Sequence, residues 1–258
     1  MKLHTFGTCS GTQPYPNFRH TCLAVETEFG LYFLDAGESG SYTAHLMGVD
    51  LLKTKAVFIS HPHMDHVGGL GNLLWNIRKI GYVNNNSLTE NDNIEILTPC
   101  IETVEGFFSV LKNTEGEYKT EYTHSVKKIK EGKIFDNGDI AVYATHTDHM
   151  EKRNGEYQSF SFRIVHNGKV IVYSGDTRLE NIKDILPDEC NAFLVETGHH
   201  QIEDICSEIK KNGKIVKKLY FVHHGGYIMR DIDGAKRRAE SCFDNDVEIT
   251  RDAMTYEV

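Results

Sequence analysis

No stretch of this sequence approaches the roughly 20 apolar residues of a membrane-spanning helix, so no membrane partner is expected. The N-terminus, Met1-Lys2-Leu3-His4-Thr5, lacks the apolar core of a signal peptide, and the cytoplasm is the expected compartment. Six cysteines (Cys9, Cys22, Cys100, Cys190, Cys206 and Cys242) are scattered, with no Cys-x-x-Cys pair. That excludes a thiolate zinc ribbon or dithiol redox motif and leaves reduced, mostly buried thiols. Basic residues are in deficit: 28 Lys and Arg face 37 Asp and Glu, for a net charge of −9. Such a chain has little bulk attraction for a nucleic-acid backbone, although a local site could still bind one phosphate. No low-complexity segment or Pro/Gly linker divides the chain, so residues 1–258 read as a single domain with one sizeable core.

Strand-like and helix-like runs alternate throughout. Residues 21–27 and 31–35 are β-rich and flank Glu28-Phe29-Gly30, which reads as a hairpin. Ala56–Ser60 is a short apolar strand. Residues 66–80 then carry Val67, Leu70, Leu73, Leu74, Ile77 and Ile80 at helical spacing. Strands are expected at Ile94–Leu97, Ile140–Ala144, Phe160–Val165, Val170–Tyr173, Ala192–Val195 and Leu219–Val222, with Val247–Thr250 the last. Helices are expected at 101–112, 203–211 and 234–243. This mixture predicts a layered α/β domain. Trp75, Phe107 and Phe108 sit on helical apolar faces and read as core.

Chemistry concentrates at His61-Pro62-His63-Met64-Asp65-His66, just after the strand 56–60. Four such specified positions arise by chance in roughly one chain of this length in several hundred, so coincidence is a poor explanation. Imidazole and carboxylate are ligands that zinc prefers and that iron or manganese accept. In an extended loop His61 and His63 point the same way, while Asp65 and His66 can turn toward a second ion. Further ligands are sought at other strand ends: His146 or His149 in Thr145-His146-Thr147-Asp148-His149, Asp176 in Ser174-Gly175-Asp176-Thr177, and His223 or His224 in Val222-His223-His224-Gly225-Gly226. His223 is preferred because it directly follows its strand.

The order of these motifs resembles that of the metallo-β-lactamase superfamily over nearly the whole chain. The resemblance implies a four-layer αββα sandwich with two divalent metal ions, zinc first, at one edge of the sheets. It implies that His61, His63 and His149 hold one ion, that Asp65, His66 and His223 hold the other, and that Asp176 bridges them. His149 is preferred over His146 because the family pattern often has Thr or a polar residue two before the ligand, as Thr147 is here.

Within the superfamily, the ribonuclease Z-like branch is the most similar. Phe6-Gly7-Thr8-Cys9-Ser10-Gly11-Thr12-Gln13-Pro14 is similar to its N-terminal Gly-Thr loop, and Leu34-Asp35-Ala36-Gly37-Glu38 resembles its Asp-x-Gly-Glu segment. Leu194-Val195-Glu196-Thr197 resembles its His-Glu-Ala-Thr motif, with Val195 where the family has the His implicated in proton delivery. His199 and His200 lie nearby to substitute. The Gly7–Gly11 loop could cradle a phosphate, and Arg19 and His20 could line the substrate mouth.

The expected activity is metal-assisted hydrolysis of a phosphodiester. Two cations would lower the pKa of a bridging water, Asp65 would orient the nucleophile or shuttle its proton, and Glu196 would orient a ligand imidazole or His199. A small-molecule or nucleotide-like substrate is expected. No Gly/Pro-rich tRNA-gripping arm is seen, so extended tRNA binding is not expected; a homodimer is left open. The alternative on the same site is an ester, lactone or thioester hydrolase. A redox di-iron protein would want a carboxylate where this sequence has His66, and a pure metal-binding module would not need a complete ligand set.

Overall fold

The computed structural model describes residues 1–86, 88–114 and 118–258. Its first sheet holds β1 (Lys2–Gly7), β2 (Cys22–Glu26), β3 (Leu31–Leu34), β4 (Thr54–Phe58), β5 (Asn93–Thr98) and β6 (Thr123–Lys128). A last strand, β14 (Met254–Glu257), lies beside β1, giving the order β14-β1-β2-β3-β4-β5-β6. The second sheet holds β7 (Gly132–Asp136), β8 (Ala141–His146), β9 (Phe160–His166), β10 (Lys169–Tyr173), β11 (Glu189–Thr197), β12 (Ile215–His224) and β13 (Asp246–Ile249), in the order β13-β12-β11-β10-β9-β8-β7.

The sheets face each other because the central strands of each carry apolar residues on both sides. On β2, Leu23 and Val25 face the second sheet, while Cys22 and Ala24 face the outer helices. On β11, Ala192 and Leu194 point inward, and Phe193 and Val195 point out. At the centre the Phe58 ring lies 5.4 Å from Phe135 and 5.8 Å from Phe162, joining the sheets; truncating it to Ala would cost about 3–5 kcal/mol. Outside the first sheet pack α1 (Gly40–Leu46), α3 (Leu70–Val83) and α4 (Ile101–Lys112). Outside the second pack α5 (Ile182–Ile185), α6 (Ile202–Lys211) and α8 (Ile232–Cys242). The architecture is thus a four-layer αββα sandwich. Among the described residues, no helix is long and apolar enough to cross a membrane.

Three expectations are corrected. The helix read over 66–80 is two helices, a short α2 (Met64–Val67) and then α3, separated by Gly68-Gly69. Val247–Thr250 is not the last strand, because β14 follows it; most of β14 is exposed, so it carries no apolar alternation to read. Trp75, Phe107 and Phe108 pack against the outer core but are only partly buried.

The parallel pairs β3–β4, β10–β11 and β11–β12 bring their C-terminal ends to one edge. β8 joins them, being antiparallel to β9, which is antiparallel to β10. At this edge the Phe160 amide donates to the Ser60 carbonyl at 3.0 Å and ties the sheets together.

Candidate metal centre

Each polar residue of this edge follows the end of a strand. Beyond β4 the chain runs extended through Ser60-His61-Pro62 and then turns, the amides of His66 and Val67 donating to the His63 carbonyl at 3.0 and 3.1 Å. The turn aims His61 and His63 to one side and Asp65 and His66 to the other. The loops before β2 and after β3 close over it: a Cβ on Gly11 would sit 3.0 Å from the Asp65 carboxyl, and one on Gly37 would sit 2.4 Å from the Asp65 carbonyl, a backbone clash that requires glycine at 37.

On the first side, His61 Nε2 lies 2.9 Å from His63 Nδ1, and His149 Nε2 lies 3.3 Å from the same nitrogen. Asp176 Oδ2 faces them, 3.7 Å from His61 Nε2 and 3.6 Å from His149 Nε2. On the other side, Asp65 Oδ2 lies 3.3 Å from His66 Nε2 and 3.2 Å from His223 Nε2. Asp176 Oδ1 completes that group at 3.3 Å from both imidazoles. Each group has the donor atoms to hold one cation, and Asp176 gives one oxygen to each.

The donors fit a metal better than they fit one another. His66 Nε2 and Asp176 Oδ1 are buried and lack hydrogen-bond partners, a costly state unless an ion satisfies them. Burial and the neighbouring His66 push His61 well below the usual histidine range, keeping its ring neutral with a lone pair to offer. Burial opposes ionisation of Asp65 and Asp176, yet contact with His223 and His66 holds both carboxyls well below the usual range.

The surrounding residues fix the rings. Asp35 Oδ2 accepts from His66 Nδ1 at 2.7 Å, and the Ser60 hydroxyl lies 3.1 Å from His61 Nδ1. Fully buried Glu196 accepts the Thr177 amide at 3.0 Å through Oε1 and His199 Nδ1 at 2.8 Å through Oε2. That Oε2 also lies 3.6 Å from His223 Nδ1. The His199 ring stands 5.0 Å from His149 and 5.8 Å from His223, with its side chain 45% exposed, so it borders the centre from the solvent side.

The two pairs of rival histidines separate clearly. His146 points away, stacking on Tyr157 at 3.7 Å and meeting Glu131 at 2.7 Å. In β12 the pairing with β11 shifts: Glu196 faces Val222, and Thr197 faces His224. The extra residue, His223, takes φ +48°. Such a bulge re-aims a side chain, here toward the carboxylates. His224 is turned inward, its Nδ1 2.9 Å from Thr197 Oγ1 and its Nε2 donating to the Thr250 carbonyl at 2.8 Å. The sequence carries no signal for the supporting roles of Ser60, Tyr173 and Thr197, and the Asp-Ala-Gly-Glu segment that holds Asp35 carries no metal-ligand signal.

Arg19 and His20 line a cleft of about 160 Å³ with Cys9, Tyr15, Phe18 and Glu38; none of the seven candidate metal ligands lines it. The Thr8–Gly11 loop is anchored by Asp252, which accepts the Thr8 amide at 2.9 Å and the Thr8 hydroxyl at 2.7 Å.

Known proteins share both sequence and fold. The chain is 24% identical to ribonuclease Z of Picrophilus torridus, over 98% of this chain and 95% of that one. Its fold is similar to that of the metallo-β-lactamase fold protein YhfI from Bacillus subtilis (TM-score 0.74, 18% identity, 99% of each chain). It is also similar to the short form of human tRNase Z (TM-score 0.71, 17% identity, 100% of this chain and 99% of that one). The protein is a metal-dependent hydrolase of the metallo-β-lactamase superfamily, in its ribonuclease Z-like branch. The family described as anti-Pycsar protein Apyc1 matches residues 1–225, and the chain belongs to that family.

Proposed function

We propose that this protein hydrolyses a phosphodiester bond in a small, nucleotide-like molecule at a centre of two divalent ions, zinc first. His61, His63 and His149 would hold one ion, Asp65, His66 and His223 the other, and Asp176 would serve both. The observation that carries this reading is the split of Asp176, with Oδ2 toward His61 and His149 and Oδ1 toward His66 and His223. When bound, the ions supply Lewis acidity that lowers the pKa of a water and neutralises charge on phosphoryl oxygens.

The chain's own groups do the rest. Asp65 lies at the mouth, its side chain 12% exposed, where it orients the attacking water. Glu196 accepts from His199 Nδ1 and thereby raises the ring's pKa, so the charged imidazolium carries a second proton on Nε2 that it can deliver to the leaving oxygen, ending neutral. His199 thereby takes the place of the family His that Val195 replaces. The net charge of −9 favours a small substrate over an extended tRNA.

The experiment is a substrate panel. Purified protein is assayed on bis-p-nitrophenyl phosphate, a lactone and a thioester, with and without chelator. Chelator-sensitive turnover of the phosphodiester is expected. Turnover of the lactone or thioester alone would move the reaction to acyl transfer on the same site.

A further inference from the structure

Asp35 joins both sheets to the metal centre. It ends β3 in a left-handed conformation, φ +60°, with no exposure to solvent. A non-glycine residue holds that backbone only where its surroundings impose it. Its Oδ1 accepts the Ser60 amide at 2.6 Å. Its Oδ2 accepts the Ser60 hydroxyl at 2.7 Å, His66 Nδ1 at 2.7 Å and the Tyr173 hydroxyl at 2.6 Å. Three donors thus converge on Oδ2 and one on Oδ1.

Of these donors, Tyr173 alone belongs to the second sheet. It is the last residue of β10, three positions before Asp176. A closed loop results. Tyr173 binds Asp35, Asp35 binds His66, His66 Nε2 faces Asp176 Oδ1 at 3.3 Å, and Ser174-Gly175 returns the chain from Asp176 to Tyr173. Donation through Nδ1 fixes the tautomer of His66 and leaves its Nε2 lone pair pointing at the centre.

We propose that Tyr173 is a positioning residue for the site of Asp65, His66 and His223, acting through Asp35. Its hydroxyl holds the Asp35 carboxylate toward the second sheet and so keeps His66 in register with Asp176. Without it, the remaining Asp35 donors, Ser60 and His66, both come from the segment that follows β4, and the segment carrying Asp176 loses its side-chain link to the carboxylate that aims His66. The inference rests on the two-ion reading above.

The test is Zn²⁺ competition with a chromogenic chelator on the full chain. Tyr173→Phe is compared with wild type and with Tyr32→Phe. Tyr32 is equally buried between the sheets, but its hydroxyl donates to Asp139 at the opposite end of the sandwich. Wild type should bind two ions. Tyr173→Phe should keep one at wild-type affinity and bind the other roughly 10–100-fold more weakly. Tyr32→Phe should lose thermal stability comparably yet bind both ions normally. Ser60→Ala removes a second hydroxyl from the same Asp35 oxygen and should also weaken at least one ion, which decides the matter if Tyr173→Phe does not fold. Two wild-type affinities in Tyr173→Phe, or in Ser60→Ala as its replacement, would overturn the proposal. Equal weakening in Tyr32→Phe would do the same, because it would reduce the effect to general destabilisation. Fewer than two ions on the wild type would instead overturn the two-ion reading beneath it.

Discussion

Asp176 Oδ1 stands 3.3 Å from His66 Nε2, both atoms are buried, and neither has a hydrogen-bond partner. A carboxylate and an imidazole left in this way gain most from a cation shared between them. Asp176→Asn nearly preserves the shape but removes the charge and one of two oxygens. It should fold, lose at least one metal ion, and lose most hydrolytic activity, since two closely spaced cations are then poorly screened from each other. Elemental analysis and an activity assay on this one variant decide it. A fully metallated, active Asp176→Asn protein would reduce Asp176 to a turn residue.

His149 and His146 give a paired prediction. His149 Nε2 lies 3.3 Å from His63 Nδ1, whereas His146 is engaged with Glu131 and Tyr157. His149→Ala should strongly weaken one metal site, and His146→Ala should leave metal content near normal. The reverse result in equilibrium dialysis would exchange their roles.

How far the sequence foretold the centre depended on the kind of signal. His61 to His66 and Ser174-Gly175-Asp176-Thr177 are contiguous, so a local pattern exposes them. His223 could be preferred over His224 only by position, because the bulge that turns one outward and the other toward Thr250 arises from pairing with β11. Asp35, Ser60 and Tyr173 meet across about 140 residues of chain, |i−j| being 138 for Asp35 and Tyr173, and no periodicity reports such a meeting. Most of the core strands are legible by their apolar runs. The buried β1, Lys2-Leu3-His4-Thr5-Phe6-Gly7, is not, because its polar and apolar residues are interleaved, and the largely exposed β6, β7 and β14 follow no apolar rule.

His199 supplies a kinetic prediction. If it protonates the leaving group, His199→Ala should lower kcat by about 10²–10⁴ on a substrate with a poor leaving group while metal content stays intact. The loss should shrink on bis-p-nitrophenyl phosphate, whose leaving group needs little protonation. An equal loss on both substrates, or a change confined to KM, would count against proton donation.

Asp252 makes stability depend on pH. Burial pushes its carboxyl up from 3.8 to about 6, although the Thr8 and Arg19 amides donate to it. The folded state then holds this proton more tightly than the unfolded chain does, so the contribution favours folding at low pH and is lost as pH rises from about 4 to about 6. Asp252→Asn removes the titration. The stability of wild type relative to Asp252→Asn should fall by about 2 kcal/mol between pH 4.5 and 7 in urea denaturation. A flat or rising difference would show that the hydrogen bonds to Thr8 and Arg19 outweigh burial.

Metal titration of hydrolysis is the most direct test of the two-ion phosphodiesterase. Metal-free protein is given increasing Zn²⁺, and turnover of bis-p-nitrophenyl phosphate is followed at each ratio. Activity should rise and break sharply at two equivalents per chain, the number that the His61–His63–His149 and Asp65–His66–His223 groups would hold under the proposed two-ion reading. Saturation at one equivalent, or no turnover at any loading, would contradict it.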